Sequence, residues 1–417
     1  MNFKLRHLLA AGLAILLTPA LAVARTAEGQ ADTPQQMSRH ELLQRAALQT
    51  WTEAVGHMRE NRPRTAIPIL ERLVSLAPSE TRFRLELARA YFLVQDDEKA
   101  GFHFEQARGG ALPQEARNAI QTYEDRIRER KRRQAQFSFA IVPESNPGRR
   151  TNAETVTILG QQFTLNEQAK AATALHMTGR LTYLPPITRD LSGRISGSVD
   201  ARLFENSALN DIRLGTELGL SLRADGGRES GLGLTGSRRW VGSSAFSYSY
   251  GVYATFETRL TERTRLRFRG DLERIRHDNL PNRDATRRRA QVDLTHVVSP
   301  KFGLRASTFV GRTNARTDFE SGFQAGVRVG ATYAFDGGLV TSMELGHARE
   351  RRDAASSLFQ RVRSDRTSSL TIGLLHREIE FADYAPRLDL LLERRKSTIE
   401  VYDFNNARVS IGLTRSF

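Results

Sequence analysis

Nine histidines are scattered over the chain, and their spacing does not build a metal or acid–base site. His176, His296, His347 and His376 each stand alone. No His-x-His or HExxH pair sets two imidazoles on one face, as a zinc hydrolase requires. With no Cys, thiolate nucleophiles, disulfides and thiolate-held metals are excluded. Asp225-Gly226-Gly227 and Asp336-Gly337-Gly338 lie between strand-like segments and read as turns, not phosphate loops. The chemistry these residues do support is electrostatic. Arg265, Arg267, Arg269, Asp271 and Glu273 take every second position, so on a strand they form one face of mixed charge, suited to a water-filled lumen. A conduit or binding protein is expected, with no enzyme activity, no cofactor and no metal.

The elements that must position such a ladder repeat with period two. Phe323, Ala325, Val327, Val329, Ala331, Tyr333 and Phe335 alternate with Gln324, Gly326, Arg328, Gly330, Thr332 and Ala334. Phe246 to Phe256 and Ile212 to Leu222 repeat the pattern. A soluble sandwich also alternates, but its strands average about five or six residues; these run to about a dozen. The spacing predicts fourteen strands, near 136–143, 171–183, 189–204, 210–223, 229–240, 245–257, 263–276, 286–298, 301–312, 322–335, 338–349, 366–378, 387–396 and 408–417. An even number suits an outer-membrane barrel, and no apolar run after the N-terminus approaches the ~18 residues of a spanning helix. In the last segment Val409, Ile411, Leu413 and Phe417 share one face, as in a closing barrel strand read by the barrel-assembly machinery. Arg415 interrupts that face at a depth where a lipid-facing Arg costs only ~0–1 kcal/mol. With this strand ending in the periplasm, the periplasmic connections (184–188, 224–228, 299–301, 336–338) are short and carry Pro or Gly. Most outer ones (144–170, 277–285, 313–321, 350–365, 397–407) are longer.

Ahead of the barrel, Lys4 and Arg6, an apolar run from Leu8 to Leu17 and Ala22-Val23-Ala24 read as a signal peptide cleaved after Ala24. Residues 25–37 are expected to be a flexible N-terminus, and 38–134 to be helical and periplasmic. Within 38–134, Leu87, Ala88, Tyr91, Ala100, Phe104 and Ala107 match the tetratricopeptide pattern. Thirty-four residues upstream of four of them lie Ala54, Ala66, Leu70 and Leu73, with Pro78 where a repeat should end. Two capped repeats form a concave surface suited to a peptide. Trp51, Tyr91 and Phe104 are the candidates for that groove or for the repeat core. The basic run Arg126 to Arg133 reads as a solvated helix face, or as a dock for anionic lipid head groups.

Net charge is +15, and Lys supplies only six of the 62 basic residues. A signal peptide removes the chain from nucleic acid, so the Arg excess is expected to serve the lumen, the outer loops and lipopolysaccharide phosphates.

A signal peptide, a short tetratricopeptide domain and a C-terminal barrel of about fourteen antiparallel strands together resemble the surface lipoprotein assembly modulator (Slam) family, the outer-membrane component of the type XI secretion system. The segments Val142-Pro143-Glu144-Ser145-Asn146, Thr155-Val156-Thr157-Ile158, Phe163-Thr164-Leu165, Tyr384-Ala385-Pro386-Arg387-Leu388, Glu393-Arg394-Arg395, Tyr402-Asp403-Phe404 and Gly412-Leu413-Thr414-Arg415-Ser416-Phe417 carry the likeness. It implies a Gram-negative outer-membrane barrel over 135–417 that moves protein cargo, a surface lipoprotein or a small secreted β-rich protein, from periplasm to cell surface or medium. The alternative reading is a passive channel or a polysaccharide-export porin with periplasmic repeats.

Overall fold

Fourteen antiparallel strands close on themselves into one barrel. The structure is a computed structural model that describes residues 39–417 except 78–79, 131, 152, 166–169, 225–226, 336, 378, 380, 382–383 and 416–417. The signal segment, the N-terminal stretch to 38, Pro78 and Phe417 therefore lie outside the described residues. The barrel strands are β1 (Arg133–Glu144), β4 (Ala172–Tyr183), β5 (Leu191–Phe204), β6 (Asp211–Ala224), β7 (Arg228–Val241), β8 (Ser244–Thr261), β9 (Thr264–His277), β10 (Ala285–Ser299), β11 (Phe302–Ala315), β12 (Gly322–Ala334), β13 (Leu339–Ala355), β14 (Val362–His376), β15 (Ala385–Ser397) and β16 (Phe404–Thr414). Each expected segment is one of them, and β1 pairs with β16 to close the ring.

The register carries a single outward face round the wall. Phe139 lies opposite Met177, and the row continues through Ala201, Ile212 and Trp240. Large apolar side chains on this face are exposed, among them Ile141, Leu218, Leu232, Tyr250, Val329, Leu345 and Ile411. A closed barrel that turns an apolar band outward and polar residues inward is built for lipid. The inward face includes the anticipated ladder: Arg269 bridges to Glu217 at 2.9 Å and Asp271 at 2.8 Å, and its guanidinium lies 4.8 Å from the ring of the buried Tyr253.

Three expectations are corrected. β13, β14 and β16 extend beyond the apolar band, to Ala355, from Val362 and from Phe404, so the loops they bound shrink. There neither strand face meets lipid tails, and alternation no longer marks a strand. The first outer connection also carries a hairpin of its own, β2 (Thr155–Ile158) and β3 (Gln161–Thr164). Its turn, Leu159-Gly160, has positive φ at both residues (51° and 81°), the geometry that Asn-Gly usually signals. Leu hides that signal.

Five helices precede the wall: α1 (Arg39–Arg59), α2 (Pro63–Leu76), α3 (Thr81–Leu93), α4 (Asp97–Arg108) and α5 (Gln114–Arg130). Pro63 opens α2, where a missing N–H costs nothing, and Asp96 caps α4 by accepting the Lys99 N–H at 3.1 Å. Ala54, Ala66, Leu70, Leu73, Ala88, Ala100, Phe104 and Ala107, the residues related by thirty-four, are all at most 1 % exposed and belong to one core. Residues 47–417 form one compact unit, so helices and barrel are held together.

Candidate functional site

The helices seat on the end of the barrel that carries the short turns. Arg108, at the end of α4 and only 4 % exposed, reaches Glu124 of α5 at 3.1 Å and pairs with Glu262 in the β8–β9 turn. Arg259 completes the cluster, bonding Glu124 at 2.5 Å and Gln121 at 2.7 Å. Burial pushes the Glu124 carboxyl up, but the Arg259 and Arg108 guanidinium groups outweigh it and hold the group below the ordinary carboxylate range. Gly109 packs against the Ser299–Pro300 backbone at the β10–β11 turn, and Arg263 donates to the Gly110 carbonyl at 3.3 Å.

Beside this joint lies a cavity of about 720 Å³ between α2–α4 and the ends of β12–β14. Tyr91 and His103 form one wall, their rings stacked 5.6 Å apart, and the Tyr91 hydroxyl donates to Glu71. Leu76, Leu87, Phe102, Phe335 and Val340 supply the apolar surface. Arg377 lies 3.3 Å over the Phe102 ring, with its Nε and Nη1 buried and without a hydrogen-bond acceptor among the described residues. Burial and the nearby Arg84 push its guanidinium down to about 10. Burial, with Arg84, Arg377 and Lys99 close by, keeps His103 neutral well below the ordinary imidazole value. An apolar groove with a cationic floor suits a peptide segment carrying a carboxylate. Of the three aromatic candidates, Tyr91 lines this cavity. Phe104 is buried and stacks on Tyr123 at 5.2 Å, while Trp51 tilts against Phe83 at 5.1 Å, and neither lines it.

The second feature is the seam between β1 and β16. Paired residues run from Ser138–Thr414 to Ile141–Ile411 and resume only at Glu144–Arg408. Pro143, which has no N–H to donate, sits in the gap. Side chains close the outer end instead. Asn146, 2 % exposed, donates to the Asn405 and Arg150 carbonyls at 3.1 and 2.7 Å, and its backbone N–H donates to the Asn406 Oδ1 at 3.0 Å. Asn406 in turn donates to the buried Glu144. Ser145 bonds Ala407 in both directions. Lower down, a Cβ at Gly412 would strike the Phe139 carbonyl oxygen and Ala140, so only glycine lets the two strands approach there. A 340 Å³ cavity lies against the seam, lined by His176, Arg387, Asp389, Arg408 and Ser410. Val409 and Leu413 are half-buried on the outward face and Ile411 is exposed.

The family model described as surface lipoprotein assembly modifier matches residues 134–417, all of the barrel but its first residue. The chain belongs to that family. A surface lipoprotein assembly modifier of Moraxella catarrhalis is 20 % identical over 385 residues, covering 90 % of this chain and 74 % of the relative. Surface lipoprotein assembly modifier 1 of Neisseria meningitidis serogroup B is 21 % identical over 376 residues, covering 89 % and 76 %. Among solved structures, a Pseudomonas aeruginosa FadL homologue aligns with a TM-score of 0.39 and 13 % identity, covering 77 % of this chain and 94 % of that one. Family and closed barrel together place the chain in the outer membrane.

Several of its key residues carry no motif. Arg108, Glu124, Arg259 and Glu262 are far apart in sequence, and nothing local marks them as partners. Asn146 stood inside a segment shared with the family, but its mate Asn406 is 260 residues away. The basic run is exposed at Arg126, in keeping with a solvated helix face, and packs inward at its neighbours. Arg130 folds back onto the repeats, 2.6 Å from Asp97 and 4.0 Å over the Phe92 ring, and Ile127 is buried among the helices.

Proposed function

We propose that this chain is an outer-membrane translocator that takes protein cargo from the periplasm, a surface lipoprotein or a small secreted β-rich protein, and delivers it to the cell surface or medium. The observation that carries the reading is the helical groove fixed by buried ion pairs over the short-turn end of the barrel, with its cavity opening between the two. Cargo held there is already at the mouth of the wall. Passage then follows the lumen or the β1–β16 seam. At the seam a strand edge would satisfy the backbone groups of the moving chain. In this reading the helices are periplasmic and tetratricopeptide-like, and lipopolysaccharide meets the outer rim. The barrel-assembly machinery reads the closing strand through Val409, Ile411 and Leu413, with Phe417 beyond the described residues.

The test is co-expression with a signal-bearing, β-rich neighbour gene product and protease shaving of intact cells. Full-length protein is expected to place the cargo within reach of protease. A form lacking Arg39–Arg133 is expected to insert its barrel and leave the cargo protected. Equal display by both forms would refute the role given to the helices.

A further inference from the structure

The arginine excess is unevenly placed on the outward face, and that asymmetry identifies a lipid. At the long-loop ends of β10, β13, β14 and β15, Arg288, Arg349, Arg351, Arg366 and Arg394 all point outward and are exposed. The register makes them neighbours: Arg349 is opposite Arg366, and Arg288 joins Arg351 through Arg312 and Phe323. Arg312 is paired with Asp353 at 2.6 Å and Lys396 with Asp403 at 3.2 Å. The five arginines have no carboxylate partner among the described residues. Leu272 is opposite Arg288 and Leu392 lies about two residues, roughly 6 Å, below Arg394 on the same face, both exposed and apolar; Val310 and Leu345 continue that exposed apolar face further down.

The other half of the circumference is the internal comparison. At the same ends of β1, β4, β5, β6 and β8 the outward residues are Ile141, Leu175, Leu203, Ile212 and Tyr248. The guanidinium groups close to them are tied to carboxylates, Arg238 to Asp278 at 3.0 Å and Arg276, opposite Tyr248, to Asp284 at 2.7 Å; Arg274 on β9, which donates to Thr286, adjoins the arginine arc at β10. Mere solvation would not confine unpaired cations to one side, directly above an apolar band. At that depth a side chain meets head groups, and a planar guanidinium fork matches phosphate oxygens in a way that Lys does not.

We propose that the outward arc of Arg288, Arg349, Arg351, Arg366 and Arg394 binds the phosphates of a phosphorylated glycolipid of the outer leaflet. The arc leaves the β1–β16 seam facing lipid without such a clasp. The proposal rests on the orientation and outer-rim partner given above and is independent of whether cargo moves. The probe is bis-phosphorylated lipid A added to the purified full-length protein in detergent, with bound lipid counted by native mass spectrometry. Folding is checked in each sample by heat-modifiable gel mobility. Wild type is expected to retain lipid A. Replacing all five arginines with Gln is expected to weaken binding by on the order of ten-fold or more, whereas replacing them with Lys weakens it less. Equal binding by the folded five-Gln variant, or by wild type to dephosphorylated lipid A, would overturn the proposal. Equal retention of phosphatidylglycerol would overturn the glycolipid assignment. Loss of cargo display with lipid A binding intact would count against the translocator reading alone.

Discussion

Two side chains show how little room the working parts leave. Gly412 lies where β16 meets the Phe139 carbonyl and Ala140, and any Cβ there must push the seam apart. Gly412→Val is expected to cost about 1–3 kcal/mol through overpacking, and to lower the temperature at which the barrel loses its compact mobility on a gel. The same change at Gly270, which has open space around it, is the control. Glu124 is the acid shared by Arg108 and Arg259. Removing one partner of a buried ion-pair cluster costs about 3–5 kcal/mol, so Glu124→Ala is expected to loosen the joint and speed proteolytic release of the helices from a barrel that stays intact. Because its carboxyl is held below the ordinary range, its contribution is present at neutral pH. It disappears only as pH falls below the ordinary carboxylate value of 4.5 and through the lowered one. Neither residue could be ranked from sequence. Gly412 was one small residue in a polar stripe, and Glu124 one acid on a highly charged helix; only the partner 135 residues away makes it central.

Strand identity was legible because lipid on one side and water on the other impose period two, and Phe323 to Phe335 repeat it without a break. Strand ends were less legible. Glu350 to Ala355 continues β13 above the apolar band, where the outward face no longer meets lipid tails, and β16 begins at Phe404 for the same reason. The seam was legible only as a closing strand; its weak point, the unpaired step at Pro143 bridged by Asn146 and Asn406, needs both ends of the chain side by side. That step makes the route testable. Ile141 and Ile411 are direct partners across the seam, outward-facing and away from the Asn latch. The chain has no native Cys to compete with an engineered pair. Ile141→Cys with Ile411→Cys, once oxidised, is expected to stop cargo display if the seam opens, and reduction is expected to restore it. Undiminished display by the oxidised barrel would assign transport to the lumen.

At the scale of the molecule, the chain is a barrel with helices docked on one end, and the cavity beside the joint concentrates positive charge, with Glu71 the acid on its wall. His103 lines that cavity, stacked on Tyr91, with Arg84 and Lys99 from the helices and Arg377 after β14 as the charged groups acting on it. Burial and these three cations keep it neutral when docked. Undocking removes Arg377 and the barrel's share of the burial, so the imidazole's proton affinity rises toward its ordinary value of 6.5. The undocked form therefore binds more protons than the docked one between the lowered value and 6.5, and docking weakens as pH falls through that window. Above 6.5 both forms are neutral at this position and the contribution is flat. The expected result is a wild-type joint that yields to limited proteolysis faster at pH 5.5 than at pH 7.5. A His103→Gln variant keeps the ring-sized polar wall without a titrating group and should show a much smaller difference. Glu124 cannot produce the same slope, since its carboxyl titrates below the ordinary carboxylate range. An equal pH slope in the variant would move the effect away from His103. A shallow slope in both would mean that the joint tolerates a fourth positive charge, as it would if an acidic cargo segment occupied the cavity during the measurement; repeating it on protein purified without cargo separates the two.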